Sequence, residues 1–410
     1  MMQRILQRDV PLTVALPWML LFLLSPVWLF YVYKTICILT AVIRALIAPG
    51  SVTLRAVQND LIVFWPASHI MMTHPAAKIY DPAWFSAWRA AHLAVGVSSY
   101  LQYPYPPPAL LILLPLALCG YFSGFLVWTA SIVVLPGTAL LHWAGVPRRV
   151  IITGLLSSAG VYCVWIGQFG IITGATFICG LLYIGRNPVR AGVLLGMLII
   201  KPQAGLLGPI ALLARRQYRS LGIAILVVLS LSLAVTLIFG VSIWPSFVAL
   251  ALPQAHRILD APFPTTYENS GASVFWMMRS LGATVELAWV LQGTSAVLSS
   301  AWCWVAWRRP KGDHLALIAL TSALTLLVTP YGYTDDMWGF TLMVGWLAWN
   351  RRRLELADVL MWMWPELCPI IAMLAHIELT PLILLLGAIR AWKRLDGIGT
   401  TAPACYPVPL

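Results

Sequence analysis

The chain has 410 residues, 60% of them hydrophobic and only 10% charged, with a mean hydropathy of +0.84. A soluble domain carries roughly 25% charge. The composition therefore excludes a cytosolic enzyme, a disordered protein and a disulfide-stapled secreted domain, and leaves a polytopic membrane protein.

The net charge of +12 could suggest nucleic acid, but its placement argues otherwise. Of the 26 Lys and Arg, 18 stand in seven clusters at the ends of apolar runs: Arg4/Arg8, Arg148/Arg149, Arg186/Arg190, Arg215/Arg216/Arg219, Arg308/Arg309/Lys311, Arg351/Arg352/Arg353 and Arg390/Lys393/Arg394. This is the positive-inside pattern of cytoplasmic loops. A nucleic-acid surface would gather the same charges in one stripe. The seven cysteines show no CxxC pair and read as small packing residues.

In chain order, residues 12–48 form the first long apolar run, interrupted by Pro26, Lys34 and Arg44. The expectation is one retained membrane helix near 12–33, then an interfacial segment. Residues 49–105 form a first polar loop, rich in Trp, Tyr, His and Pro. Apolar runs follow near 107–119, 121–143, 150–166, 169–185, 191–200, 204–214, 220–240, 284–306, 314–329, 337–349, 357–374 and 380–392. Between two of them lies a second loop, 241–283, with Trp244, Pro253, His256, Arg257, Asp260, Glu268, Asn269 and Arg279. The tail, 395–410, is expected to be flexible.

With the clusters at 215–219, 308–311, 351–353 and 390–394 on the cytoplasmic side, the loops at 241–283, 330–336 and 375–379 face the periplasm. The runs at 107–119 and 121–143 give a parity that conflicts with Arg148/Arg149. Lys201-Pro202-Gln203 interrupts the stretch 191–214. Proline breaks a helix, so two half-length helices should meet there inside the membrane, where protein or a wet cavity must cover irregular backbone. The fold class is an all-α polytopic integral membrane protein of a single domain, 1–410. It has about 10–12 transmembrane helices, some broken or re-entrant.

Acids beside apolar sequence are functional candidates by default. Asp60 enters an aromatic segment, Leu61 to Ser68, and could take a proton from a hydroxyl; the alternative is a helix N-cap. Tyr103 and Tyr105 sit among prolines and could bind a sugar face or belong to the interfacial aromatic belt. Gln168, in Gly167-Gln168-Phe169-Gly170, could bind a hydroxyl or tie two helices together. Lys201 is isolated in apolar sequence and calls for an anion, for which lipid phosphate is the natural choice; snorkelling is the alternative. Asp335-Asp336 could bind a cation or sugar hydroxyls, but a solvated turn is the default. His69 and His74 lack metal-ligand spacing, so no metal is assigned. No cofactor is expected, and nothing in the sequence supports a divalent cation.

The order of these features resembles glycosyltransferase family 87, a branch of the GT-C superfamily. The matching elements begin with Asp60-Leu61 and, three residues on, Trp65-Pro66-Ala67-Ser68. Ala77-Lys78-Ile79-Tyr80-Asp81 and Tyr105-Pro106-Pro107 leading to Leu114-Pro115-Leu116 follow. Then come Gly167-Gln168, Ala191-Gly192 with Gly196 and Lys201-Pro202-Gln203, Arg215-Arg216-Gln217-Tyr218-Arg219, and Thr329-Pro330-Tyr331. The resemblance spans about residues 58–340 and departs from some members where Asp335-Asp336 stands in place of histidines.

It implies an enzyme that moves a sugar, typically mannose, from a polyprenyl-phosphate carrier to a glycan or glycolipid acceptor. The active site would lie on the periplasmic face of a bacterial inner membrane. Asp60 would be the general base. Lys201, Gln203 and Gln168 would serve the donor phosphate. Trp65, Tyr103, Tyr105, Asp335 and Asp336 are the candidate acceptor or sugar contacts. A single base predicts inversion, by analogy with glycosidases. Two other functions fit the composition: a secondary transporter, whose broken helices and intramembrane charge would look similar, and a surface-polysaccharide polymerase or ligase.

Overall fold

The computed structural model describes residues 9–11, 25–48, 59–93, 102–264, 270–309 and 312–395. Arg4, Arg8, Glu268, Asn269, Lys311, most of the run before Pro26 and the tail from residue 396 lie outside the described residues. The chain is an all-α, multi-pass membrane protein. By length and composition four helices can cross a bilayer alone: α1 (Pro26–Ile47), Tyr121–Trp143, Tyr218–Phe239 and Leu356–Ala375. Arg148–Leu155 and Ser158–Ile166 make a further span, bent by 60°.

Among the described residues the first crossing is α1; residues 12–24 of the helix expected near 12–33 lie outside them. α1 starts where Ser25 Oγ accepts from Trp28 N at 3.1 Å and Pro26 takes the first turn. Pro26 thus opens the helix instead of interrupting it, because the first turn needs no proline N–H. Lys34 and Arg44 fall within the helix on exposed positions, with the Lys34 ammonium over the Phe30 ring at 5.7 Å.

Two helices of the first loop follow, α2 (Leu61–Thr73) and α3 (Pro82–Leu93). Pro107–Leu118 is a short apolar segment that alternates 3-10 and α turns. It falls short of the roughly 20 residues a crossing needs. Only the helix after it crosses, α4 (Tyr121–Thr138) with its continuation to Trp143. Next come α5 (Arg148–Leu155), α6 (Ser158–Ile166) and α7 (Gly170–Leu182).

The parity conflict is thereby removed, because the basic clusters converge on one end. Arg149 lies over the Trp349 ring at 5.6 Å. Arg351 and Arg390 both pair with Glu355 and Asp358, and Arg394 pairs with Asp313. Arg215 donates to the Arg309 carbonyl at 2.8 Å, and His314 bonds the Leu181 carbonyl at 3.1 Å. Strand β1 (Asp9–Pro11) pairs antiparallel with β2 (Arg353–Glu355), which brings the N-terminal segment to the same end.

The interrupted hairpin is present as expected. α8 (Pro188–Met197) tightens into a 3-10 turn at Leu198–Ile200 and breaks at Lys201. A second 3-10 turn, Pro202–Gly205, leads into α9 (Leu207–Ala214). Both halves start and finish at the basic end, near Arg190 and Arg215. At 1.5 Å per residue each limb reaches about 20 Å, less than the roughly 30 Å of a hydrocarbon core.

The limb α8 packs on α10 (Tyr218–Phe239) through Gly192 and Gly196. A Cβ on Gly196 would sit 2.7 Å from the Ala224 carbonyl. This is the small-residue contact that lets membrane helices approach closely.

The rest of the chain forms α11 (Leu252–Asp260), α12 (Val274–Ser280), α13 (Val285–Arg308), α14 (His314–Val328), α15 (Trp338–Arg351), α16 (Leu356–Ala375) and α17 (Thr380–Leu395). Two large apolar cores result. One gathers residues of α5–α9 and α13–α17; the other gathers α2, α3, the segment 103–133 and residues 235–251. Phe169 and Ile200 belong to the second core, while Ile171 and Leu198 belong to the first. The hairpin apex therefore lies at the seam between the cores.

Candidate functional site at the seam of the two cores

Asp60 stands at the N-cap position of α2, yet its side chain makes no capping bond. Asn59 does that work, its Oδ1 accepting from Leu61 N at 2.9 Å. The Asp60 backbone N–H is fixed to the Ile166 carbonyl at 2.8 Å. The carboxylate is left to receive a hydrogen bond from Gln168 Nε2. Gln168 Oε1 in turn accepts from the Tyr105 hydroxyl at 2.8 Å. The Tyr105 carbonyl accepts from the Tyr80 hydroxyl at 2.8 Å. Three separate segments thus orient one acid.

Gly167 makes this turn possible. It is left-handed, with φ +75°, and a Cβ there would come within 2.9 Å of the Asn59 amide. Its carbonyl accepts from Trp128 Nε1 at 2.7 Å. Glycine has no steric cost in this conformation, which accounts for the Gly-Gln pair as a unit.

Asp60 lies in the turn ahead of α2, outside the membrane-crossing helices, and is half-buried. Burial pushes its carboxyl up to about 6, against the opposing pull of the hydrogen bond from Gln168.

Lys201 is not the lone ammonium that its sequence context suggests. It is 3% exposed and sits between two carboxylates, Asp335 Oδ2 at 3.1 Å and Asp336 Oδ1. Its Nζ also lies over the Phe169 ring at 5.6 Å. The turn that carries the two acids was expected to be solvated; instead it is enclosed. Cys163 Sγ donates to the Asp335 carbonyl at 3.3 Å, and a Cβ on Gly170 would collide with that same carbonyl. Asp336 Oδ2 accepts from Tyr333 N at 3.4 Å. Burying two carboxylates requires a paired cation, and Lys201 is that cation. The ammonium is engaged by both carboxylates, so in this arrangement it offers no open anion site.

The other expected contacts fall in different places. Gln203 is half-buried and lines a small, partly open cavity of about 30 Å³ with Thr173, Ser322, Thr325 and Asp336. Trp65 donates its indole N–H to the Cys119 carbonyl at 2.9 Å and stacks on His69. Tyr103 is 2% exposed, enclosed by the rings of Tyr80 and Tyr105. The structure thus gathers Asp60, Gln168 and Tyr105 in one hydrogen-bonded chain and Lys201, Asp335 and Asp336 in one ionic triad. Phe169 and Gly170, next to Gln168, touch the triad. It does not bring Trp65 or Tyr103 into either group.

Asn59, Cys163 and Phe169 support the site without having been singled out. Asn59 and Phe169 adjoin residues that were, but the Cys163 contact with Asp335 crosses 172 positions, and nothing local announces it. Among the described residues no three His, Cys, Asp or Glu side chains form a metal-binding group.

The family model of glycosyltransferase family 87 matches residues 103–330. No curated protein and no solved structure matches the chain.

Proposed function

We propose that this chain, which belongs to glycosyltransferase family 87 and is thus a membrane glycosyltransferase, transfers a hexose, mannose first among the candidates, from a polyprenyl-phosphate carrier to an acceptor hydroxyl. The acceptor oxygen attacks the anomeric carbon as Asp60 takes its proton. The bond from that carbon to the phosphate oxygen breaks, and polyprenyl phosphate leaves with the electron pair. One base and no partner nucleophile give inversion. The site opens toward the periplasmic side of a bacterial inner membrane, opposite the basic end.

The observation that carries this reading is the chain Tyr105–Gln168–Asp60. A carboxylate held by an amide, and not engaged as a helix cap, is a general base kept in one orientation. Its raised pKa suits it to accept a proton near neutrality.

The part we assign to Lys201 is indirect. Its charge is engaged by Asp335 and Asp336. Through them, and through the Phe169 ring beneath it, it fixes the hairpin apex against the segment that carries Gln168. Gln203, on the cavity side of Asp336, remains the candidate for donor contact.

The test is Asp60→Asn in membranes with matched expression, supplied with labelled polyprenyl-phosphate-mannose. General-base loss should lower transfer by about 10²–10⁴-fold. Full transfer by this variant would end the assignment of the base. No labelled product from the unaltered protein would end the choice of donor.

A further inference from the structure

A third, smaller apolar cluster stands apart from the two cores. Leu259, Phe275, Trp276 and Ala288 are its buried members, and Trp289 and Tyr331 pack on it half-buried. It carries three rings from three segments. His256 of α11 lies nearly parallel to Trp289 of α13, centroids 5.6 Å apart at 20°. His256 Nδ1 and the Tyr331 hydroxyl share a hydrogen bond of 3.0 Å. Trp289 Nε1 donates to Asp260 Oδ1 at 3.2 Å, and Phe275 backs the indole at 4.9 Å. Arg279 ties the frame together through the Ala261 and Ala283 carbonyls, each at 3.1 Å.

We propose that His256, Trp289, Tyr331 and Asp260 form a subsite for a pyranose ring of a glycan acceptor, remote from the hydroxyl that reacts at Asp60. The proposal rests on the glycosyltransferase reading above. Tryptophan at the end of a crossing helix commonly belongs to the interfacial belt. Here the indole N–H is held by a carboxylate, and Asp260, His256 and Arg257 are exposed in the same patch. Polar and charge-bearing side chains of that kind, exposed together, favour water over lipid around the rings. Aromatic faces with a few fixed polar groups at their edge are the usual make-up of a small-molecule site. A sugar offers such a site C–H faces and ring hydroxyls.

The link to the ionic triad runs through the chain and is short. Tyr331 and Asp335 belong to one loop, and four residues of chain reach at most about 14 Å. That loop is fastened to the segment ahead of α12 by the Gly271–Tyr333 bridge and by Ala272 N donating to the Gly332 carbonyl at 2.8 Å. A glycan of several units is the acceptor that would reach from this platform toward the reacting centre.

The experiment uses the full chain in nanodiscs with polyprenyl-phosphate-mannose as donor and either methyl mannoside or mannotetraose as acceptor. Saturation-transfer NMR measures mannotetraose binding independently of transfer. The unaltered protein should bind mannotetraose and show a KM for it about tenfold below that for methyl mannoside. Trp289→Ala, and His256→Ala at an exposed position that spares the fold, should abolish both the NMR signal and the KM preference, an effect of about tenfold for a recognition hot spot. Trp304→Ala, at the opposite end of the same helix, should leave both unchanged. Unaltered binding and KM preference in the two platform variants overturn the subsite while transfer itself stands. Mannotetraose binding that depends on Trp289, with transfer to neither acceptor, upholds the subsite and overturns the mannosyl-transfer reading. Absence of mannotetraose binding to the unaltered protein overturns the subsite.

Discussion

At the scale of single residues, the division of labour between Asn59 and Asp60 sets the chemistry. Asn59 caps the helix, so Asp60 can face Gln168. Two pH predictions follow from its raised pKa. As a base Asp60 works ionised, so the transfer rate should rise with pH through about 6 and level off above. Gln168→Ala removes a bond that favours the charged form, so the midpoint of the same profile should move to higher pH. A profile with an unmoved midpoint would detach Gln168 from Asp60. Lys201 invites a stability measurement. Lys201→Met leaves two buried carboxylates unpaired, and breaking such a pair costs about 3–5 kcal/mol. Its melting temperature in detergent should fall sharply, and adding Asp336→Asn should restore part of the loss. If the single variant melts normally, the triad is not what holds the apex.

At the scale of elements, the hairpin α8–α9 was the most legible part of the chain. Its interruption is written locally, as Lys201-Pro202-Gln203 between two apolar runs too short to cross. The Gly192 and Gly196 pair was visible too, but its reason is tertiary. Gly196→Val forces side-chain carbon against the Ala224 carbonyl, so overpacking should destabilise the protein by about 1–3 kcal/mol, read as a lower melting temperature with α10 pushed away. The start of α1 has a local signal as well, Ser25-Pro26, and Lys34 and Arg44, which follow it, do not end the helix. The ionic triad was not legible at all. Lys201 and Asp335 are 134 positions apart, and each looks locally like something else, one a lone ammonium and the other a polar turn.

At the scale of the whole molecule, the basic clusters around Arg149, Arg215, Arg309, Arg351, Arg390 and Arg394 form one end, and the acids of the site lie away from it. The charge distribution therefore carries both orientation and function. Orientation can be checked with an impermeant maleimide on intact spheroplasts, in a Cys37→Ala background. Leu281→Cys, exposed on the site side, should label at once, and Arg148→Cys only after permeabilisation. The reverse pattern would turn the molecule over and place the site on the cytoplasmic face.

The span of the Lys201–Asp335 pair also has a consequence for biogenesis. A ribosome makes the ammonium first and its carboxylates 134 positions later. At about 5–20 residues per second, the newborn hairpin waits roughly 7 to 27 seconds for the acids that pair with its cation. Chains truncated before Asp335 lack both carboxylates, so in a pulse-chase they should be degraded faster than the full chain; equal lifetimes would show that the hairpin is held without its acids.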